Sequence, residues 1–481
     1  MQQQRGVVML AVFIATFMTS VEVTIVTTAL PAIIAALHGL AYQSWIMAAY
    51  LLTTAITTPI YGKLCDAYGR KGIFTWGVAV FTLGSFASGL APSIGWLILA
   101  RAVQGIGAGA VMPLTFTIIA DFFDYTKRAR MLAFNNTAWG LSALIGPLLG
   151  GFLVDRLSWH WVFFVNVPLG AIVLVLISLG YHQTWQQRPI QLDYPGIAWL
   201  AATLLSGLLA VQWLQSRPLA AAGLAVVAAI SLRLFVRQEH RAKDPLIAPS
   251  LVKTPGFATQ ILTAAILSGV LIAYQVYFPI WLQGLYHLAA TQAGLAVSSS
   301  SVMWLMASFC VGTILARFSP RRTTLLVVAI QWLFYAALVV SGRAFPAWGF
   351  YVVAAVNGAG MGIVISMNTI LAQQLAPKRW LGAATALFTL GRSLGQTVMT
   401  GVYGAVLNLV LNARRGQVSF ATLNSAVAGH AVPQAASGVL LSGLHAVFLG
   451  VLALLIVVWV LNFVDHPTKK RLARRSRTKR S

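Results

Sequence analysis

The sequence predicts an all-α polytopic membrane protein. Three observations carry that reading: recurrent long apolar runs, little charge within them, and basic residues sorted by side. Of 481 residues, 58% are hydrophobic and 9% charged, a balance that a water-soluble chain of this length could not cover with polar surface. Runs of about 20 residues, long enough to cross a bilayer as helix at roughly 1.5 Å per residue, recur from residue 8 to residue 463. Only helices and closed barrels satisfy backbone polar groups in hydrocarbon, and such runs exclude the short alternating strands of a barrel.

Fourteen transmembrane helices are expected, at 8–31, 43–62, 73–92, 97–120, 131–154, 161–181, 195–214, 218–236, 258–282, 293–315, 323–341, 346–373, 380–406 and 441–463. With a cytoplasmic start, the outer loops hold Arg156, Arg217, Arg343, Arg414 and Arg415, the spans hold Arg101 and Arg392, and the rest of the Lys and Arg fall inside. That asymmetry places both termini in the cytoplasm. The basic tail 466–481 reads as a solvated charge run that fixes orientation and touches anionic lipid headgroups. Topology thereby accounts for the net charge of +24, and no nucleic-acid partner is expected. Cys65 and Cys310 fall near the inner face, where thiols stay reduced, so no disulfide is expected. The first run carries Glu22 and lacks a cleavage signal, which makes it a membrane helix rather than a removed leader.

An internal repeat appears at a displacement of about 250 residues. Gly62-Lys63-Leu64 aligns with Gly312-Thr313-Ile314, and Val103-Gln104-Gly105-Ile106-Gly107 with Val356-Asn357-Gly358-Ala359-Gly360. The expected organisation is a six-helix bundle at 1–190, an inserted helix pair with its linker at 191–250, a second six-helix bundle at 251–465, and the tail. Paired six-helix repeats around a midplane site are an architecture of secondary transporters, which rock one half against the other. The insert has few polar residues in its helices and reads as structural. The stretch 407–440 reads as a loose external connection, with a lid over the site as the alternative.

Eight of the nine acidic residues, Asp66, Asp121, Asp124, Asp155, Asp193, Glu239, Asp244 and Asp465, fall at span ends or in loops; Glu22 alone is deep. An ionised carboxylate there costs several kcal/mol unless it meets water or a partner, which suits it to reversible protonation. The plainer reading is a structural glutamate hydrogen-bonded to a neighbouring helix. Thr16, Ser20, Thr24 and Thr27 form a hydroxyl stripe on another face of the same helix, read first as interhelical hydrogen bonding.

Arg101 and Arg392 are intramembrane cations with the same functional presumption. Arg101 could assist proton movement or hold Asp66 or another group by charge; Arg392 could meet an anionic part of a substrate or snorkel to the surface. The glycines of Gly105-Ile106-Gly107-Ala108-Gly109 follow no strand and precede no ribose-binding acid, so they read as a packing surface rather than a dinucleotide loop. Pro147, within Gly140 to Gly151, removes one ladder hydrogen bond and suits a bend. Tyr50, Trp139, Tyr274, Tyr277, Trp281, Trp304, Asn357 and Asn368 are aromatic and amide groups near the expected cavity, where they would suit flat, lipophilic, cationic molecules by stacking and cation–π contact. Packing and interfacial roles are the plain alternative for most of them. The sequence has no GxxxxGK[ST] loop for ATP-driven pumping, and its eight histidines show no metal-ligand spacing. No metal, no catalytic group and no cofactor is expected.

Several motifs resemble one family. Gly62 to Lys71, GKLCDAYGRK, resembles the loop signature between helices two and three of the major facilitator superfamily, and Arg101 to Gly109, RAVQGIGAG, its fourth-helix motif. GLSALIGPLLGG, Gly140 to Gly151, is similar to the fifth-helix antiporter motif. VEVTIVTTALP, Val21 to Pro31, and WHWVFFVNVPLG, Trp159 to Gly170, resemble the fourteen-helix drug:proton antiporters of QacA/EmrB type, and Phe278 to Gly294 and Gly391 to Gly395 fit too. The resemblance implies that Glu22 stands where an aspartate is usual and couples to protons, with Arg101 in the relay. It implies that Gly62, Asp66, Gly69, Arg70 and Lys71 form a cytoplasmic gate, and that Gly146, Pro147, Gly150 and Gly151 form the helix bend of exchangers. Ala67 and His160 replace usual arginines, and Ala316 stands where the second copy of the gate motif would have its acid.

The function so implied is export of lipophilic, cationic compounds by proton-driven alternating access, from the inner or plasma membrane. Glu22, Tyr50, Trp139, Tyr274, Tyr277, Trp281, Asn357, Asn368 and Arg392 are the candidate cavity residues. The expected partners are a small-molecule substrate, protons and membrane lipids, and a periplasmic adaptor is admitted if the cell has two membranes. Transport of a metabolite, lipid or organic anion is the alternative.

Overall fold

Hydrocarbon forces backbone polar groups to pair within their own segment, and every regular element among the described residues is helical. The structure is a computed structural model describing residues 2–123, 125–181, 193–214, 217–242, 256–342, 345–375, 381–414, 416, 418–430 and 432–464. Asp124, Asp244, Asp465, Arg343, Arg415 and the tail 466–481 lie outside the described residues, as does the side chain of Asp66.

The first half comprises α1 (Gln2–Ala36), α2 (Gln43–Tyr68), α3 (Arg70–Gly89), α4 (Ile94–Phe122), α5 (Tyr125–Arg156) and the sequential pieces α6 (Trp161–Phe164) and α7 (Asn166–Gly180). The next two helices are α8 (Tyr194–Trp213) and α9 (Pro218–Arg241). There follow α10 (Phe257–Tyr286), α11 (Ala290–Phe309), α12 (Val311–Arg317), α13 (Pro320–Ser341), α14 (Ala347–Leu375), α15 (Leu381–Arg414), α16 (Phe420–Val427) and α17 (Gln434–Val464).

Among the described residues, twelve helices are long and apolar enough to cross a membrane, and thirteen if α11 and α12, bent by 51° at their junction, make one span. Fourteen were expected. The difference is α2, whose 26 residues give sufficient length but which falls outside the apolar set. Its polarity has a specific source in Thr53, Thr54, Thr57 and Thr58. Their hydroxyls donate to carbonyls of the preceding turn at 2.7–2.9 Å, so none needs water.

Packing in the second half repeats that of the first. α1 packs on α5, α2 on α4 and α3 on α7; correspondingly α10 packs on α15, α11 on α14 and α13 on α17. The glycines aligned by the sequence repeat make equivalent contacts. A Cβ at Gly105 or Gly109 would strike Thr53 or Thr57 of α2, and one at Gly358 or Gly362 would strike the carbonyls of Ser300 or Trp304 of α11. Small residues spaced by four thus bring the second and fourth helices of each half into backbone contact.

α8 packs on α9 and also touches both α2 and α15. Leu200, Leu204, Leu208 and Phe235 bury against Leu52 there, so the pair lies along the seam between the halves. The expectation of a loose connection at 407–440 does not hold. α15 runs to Arg414, and α16 buries Leu423, Asn424, Ala426 and Val427 against α17, α1 and α10. An apolar face on a short helix removes water from that end of the bundle, and an unstructured loop could not.

Gly358→Leu is expected to lower the thermal unfolding midpoint in detergent, because the side chain must displace the α11 backbone at a cost of about 1–3 kcal/mol or more. Gly223→Leu, where a Cβ meets nothing within 4 Å, should leave the midpoint unchanged. Equal midpoints for the two variants would contradict the close crossing.

Candidate transport site

Glu22 is wholly enclosed, with an exposure of 0%. Its Oε1 is ion-paired with Nη1 of Arg101, itself fully buried, and its Oε2 accepts from Asn166 Nδ2 at 2.5 Å. Arg101 Nη1 also donates to Gln104 Oε1 at 2.7 Å, and Nε donates to the Ile46 carbonyl at 3.0 Å. Ser85 Oγ accepts from Gln104 Nε2 at 3.0 Å and Asn166 Nδ2 at 3.1 Å. The Tyr50 ring lies 4.5 Å beneath the guanidinium. Five helices, α1, α2, α3, α4 and α7, therefore meet around one charge pair. Desolvating the two ions is costly, and only this dense set of charge-assisted bonds makes it tolerable.

This corrects the expectation that Glu22 lines the cavity in this conformation: its carboxylate points into the first half. A narrow crevice beside it is lined by Thr16, Thr19, Thr115, Phe116, Asn135 and Trp139 among others. Two of the four stripe hydroxyls bond between helices: Thr16 Oγ1 donates to Asn135 Oδ1 at 3.2 Å and Thr24 Oγ1 to the Ser142 carbonyl at 3.1 Å, whereas Thr27 Oγ1 donates within α1 to the Thr24 carbonyl at 2.6 Å and Ser20 Oγ has no partner among the described residues. Of the other cavity candidates, Trp139 is exposed and Arg392 partly exposed. Tyr50, Tyr274, Tyr277, Trp281, Asn357 and Asn368 are buried. Tyr274 shares a 2.5 Å hydrogen bond with Ser300, Tyr277 stacks edge-on to Tyr403, Trp281 packs against Phe350 and Phe448, and Asn357 accepts from Gln331 at 3.0 Å. These groups build the second-half core through their ring area and the bonds just given, although Trp281 Nε1 and Nδ2 of Asn357 and Asn368 find no partner among the described residues. Sequence reasoning missed Asn166 as the partner of Glu22 and Gln104 and Ser85 as the groups that hold Arg101 and Asn166. Asn166 and Gln104 stood inside quoted motifs, and their polarity in apolar runs was the available signal.

At the end of α2, Gly69 adopts φ 90°, a conformation that favours glycine and that turns the chain into α3. Arg70 pairs with Asp121 of α4, whose Oδ2 accepts from Tyr181 at 2.9 Å, and Lys71 donates to the Ser178 carbonyl at 3.0 Å. Gly62 lies in loose contact with Pro113. The described gate-motif contacts thus join α3, α4 and α7 within the first half.

A model of the Major Facilitator Superfamily matches residues 12–194 and 195–400. The chain belongs to the major facilitator superfamily. It is accordingly a multi-pass membrane transporter and not an enzyme. It is 32% identical over 409 residues to Multidrug resistance protein 3 of Bacillus subtilis (strain 168), covering 83% of this chain and 79% of that one. Multidrug efflux pump SdrM of Staphylococcus aureus (strain N315) is 27% identical, covering 85% of this chain and 93% of its own length. Among solved structures, a bacterial homologue of the human lysosomal transporter Spinster, inward-facing and unoccupied, matches with TM-score 0.69 at 16% identity over 97% of both chains.

In this superfamily member the halves meet through α1–α10, α2–α15 and α5–α11, and their hydrogen bonds gather toward one end. Gln283 donates to the Thr28 carbonyl at 3.0 Å, Asn408 to the Ala41 carbonyl at 2.7 Å, and the Leu40 amide to Asn424 Oδ1 at 3.2 Å. Asp155, at the end of α5, accepts from the amides of Ala290 and Thr291 at 3.1 and 2.9 Å and from the Thr291 hydroxyl at 2.6 Å. The carboxylate caps α11 from the opposite half, where the helix dipole favours it. Beneath it the antiporter motif is a seam: Gly146 and Gly150 abut Thr24 and Ile25 of α1, Gly151 abuts Thr291, and the Pro147 carbonyl abuts Gly294. α5 is helical throughout this motif. Ser301 Oγ still donates to the Ala143 carbonyl at 2.7 Å. Farther on, Trp139 and Leu141 of α5 and Val302, Leu305, Met306 and Phe309 of α11 are exposed. A cavity of about 240 Å³ remains at the joined end, between Asp155, Gln283, His287 and Gly429.

Asp155→Ala removes the cap, worth about 1–2 kcal/mol, and should favour separation at this end roughly five- to thirtyfold. With Cys65 and Cys310 replaced by serine, a cysteine at Gln283 should then react correspondingly faster with an impermeant maleimide. An unchanged rate would show that the cap does not hold the halves together.

Proposed function

We propose that this chain is a proton-coupled multidrug efflux antiporter of the inner or plasma membrane, exporting lipophilic compounds by alternating access. The fully enclosed Glu22–Arg101 pair is the observation that carries the reading. Protonating Glu22 dissolves the pair and strands a buried guanidinium, at a cost of several kcal/mol unless Arg101 finds water or another partner. Proton uptake and rearrangement of α1 against α4 are therefore one event, which an exchanger requires. The relatives named for multidrug resistance and efflux support the cargo class. The driving force is the proton gradient, with no cofactor, and protons and small amphiphiles are the partners. In a cell with two membranes a periplasmic adaptor would continue the path.

The topology we propose has fourteen crossings, counting α2 and the bent α11–α12, with six-helix bundles at 1–190 and 251–465 around the inserted pair at 191–250. The repeated packing scheme supports this division. Both termini lie in the cytoplasm, as the basic residues favour, so the end joined by Asp155 and α16 is external and the conformation is inward-facing. Cationic cargo is the class favoured by the exposed aromatic surfaces of Trp139 and Phe116.

Glu22→Gln leaves Arg101 without its counter-charge, so it should lower the thermal unfolding midpoint, and in the protein that remains folded it should abolish proton-dependent ethidium uptake into everted vesicles. Undiminished transport would remove Glu22 from the coupling mechanism.

A further inference from the structure

The two halves differ in how they balance interior charge. In the first, Glu22 neutralises Arg101. In the second, the sequence from residue 245 to residue 464 contains no aspartate or glutamate at all, yet Arg392 stands within α15. The residue lies about 16 Å along the helix from Leu381 at 1.5 Å per residue, farther than an arginine side chain extends. Its guanidinium is not drawn toward the helix end. Nε donates to Ser268 Oγ of α10 at 3.3 Å, and the guanidinium carbon lies 5.9 Å from the centre of the Trp304 ring of α11.

α11 and α15 both pack on α10 but share no extended interface with one another. A side chain that starts on α15, bonds to α10 and reaches a ring of α11 therefore crosses the face of α10 between them. Its level on α11 holds the exposed Val302, Leu305, Met306 and Phe309, beyond the hydrogen bond from Ser301 to α5. Gly391 and Gly395 fix the base of the side chain: a Cβ at either would strike Ile261 or the Ala265 carbonyl of α10. Among the described residues, Ser268 and Trp304 are the partners of Arg392. Nη1 and Nη2 make no hydrogen bond among the described residues while the side chain is partly exposed, and that edge matches a carboxylate with two parallel hydrogen bonds.

Resting on the export reading above, we infer that Arg392, with Trp304 and Ser268, is a subsite for the carboxylate of amphiphilic cargo, zwitterions included. The chain supplies no counter-charge to this cation between residues 245 and 464, and a guanidinium partly withdrawn from water beside an aromatic face binds an anion more strongly than one fully in water. Cargo with a carboxylate next to a flat ring system satisfies both the guanidinium edge and the indole.

A matched dye pair tests this. Rhodamine 110 carries a free carboxylate, and rhodamine 123 is its methyl ester. Proton-driven transport of both is measured in proteoliposomes holding wild type, Arg392→Gln or Arg392→Lys, with chloride and with gluconate as the bulk anion. Loss of one charge-assisted contact should reduce rhodamine 110 transport by about tenfold or more in Arg392→Gln, with partial recovery in Arg392→Lys and rhodamine 123 little changed. Equal loss of both dyes, no loss of either, wild-type transport of the ester alone, or a requirement of both dyes for chloride overturns the subsite while leaving export intact. If wild type moves neither dye, the export reading fails. The subsite is then decided by rhodamine 110 binding to the solubilised protein: tenfold weakening in Arg392→Gln sustains it, and equal affinity overturns it.

Discussion

A charge in hydrocarbon must be matched or abandoned, and the first half of this transporter is organised around one such match. Glu22 and Arg101 are each completely removed from solvent, and their pairing fixes the rotation of α1 against α4. Asn166, Gln104 and Ser85 extend the network, so α3 and α7 are held to the same point. An unpaired ion here is worth several kcal/mol of instability. The interaction is consequently stiff while both charges persist and fragile to a single proton.

Mobility is supplied elsewhere, by surfaces with little side chain to interlock. Within each half, glycines spaced by four bring the second and fourth helices into backbone contact, at Gly105 and Gly109 and again at Gly358 and Gly362. Between halves, Gly151 and Gly294 form a similarly close seam. Such seams hold by close approach rather than by deep interdigitation. The bonds at the joined end, centred on Asp155, Gln283 and Asn424, are few and polar. A small set of replaceable hydrogen bonds suits a contact that must be made and broken in each cycle.

The second half has taken a different course. Its core is aromatic, with Trp281 against both Phe350 and Phe448; Tyr274 and Tyr286 hydrogen-bond inside, while the hydroxyls of Tyr335 and Tyr403 and Nδ2 of Asn357 and Asn368 find no partner among the described residues. It also keeps a cation beside an indole with no acidic residue between residues 245 and 464. The repeat thus preserves the packing plan and diverges in chemistry, one half holding the titratable pair and the other a wall with unbalanced charge.

The all-helical membrane class was legible in residue order alone, because apolar length and basic asymmetry are properties of the unfolded chain that the bilayer reads directly. Glu22 was legible for the same reason: one acid deep in an apolar run needs no neighbour to be conspicuous. The repeated glycines could be aligned before their contacts were seen. Where the carboxylate points could not be read, since a helix fixes a residue's height and not which neighbour its face will meet. Tertiary packing turned Glu22 into the first half beside Arg101 and Asn166, buried most of the aromatic candidates, and folded Phe420–Val427 into a plug where a loose connection was expected. It also set Asp155 against the start of α11 across 135 residues of chain. Those outcomes depend on which helices become neighbours, a choice made by complementary surfaces rather than by any local run of sequence.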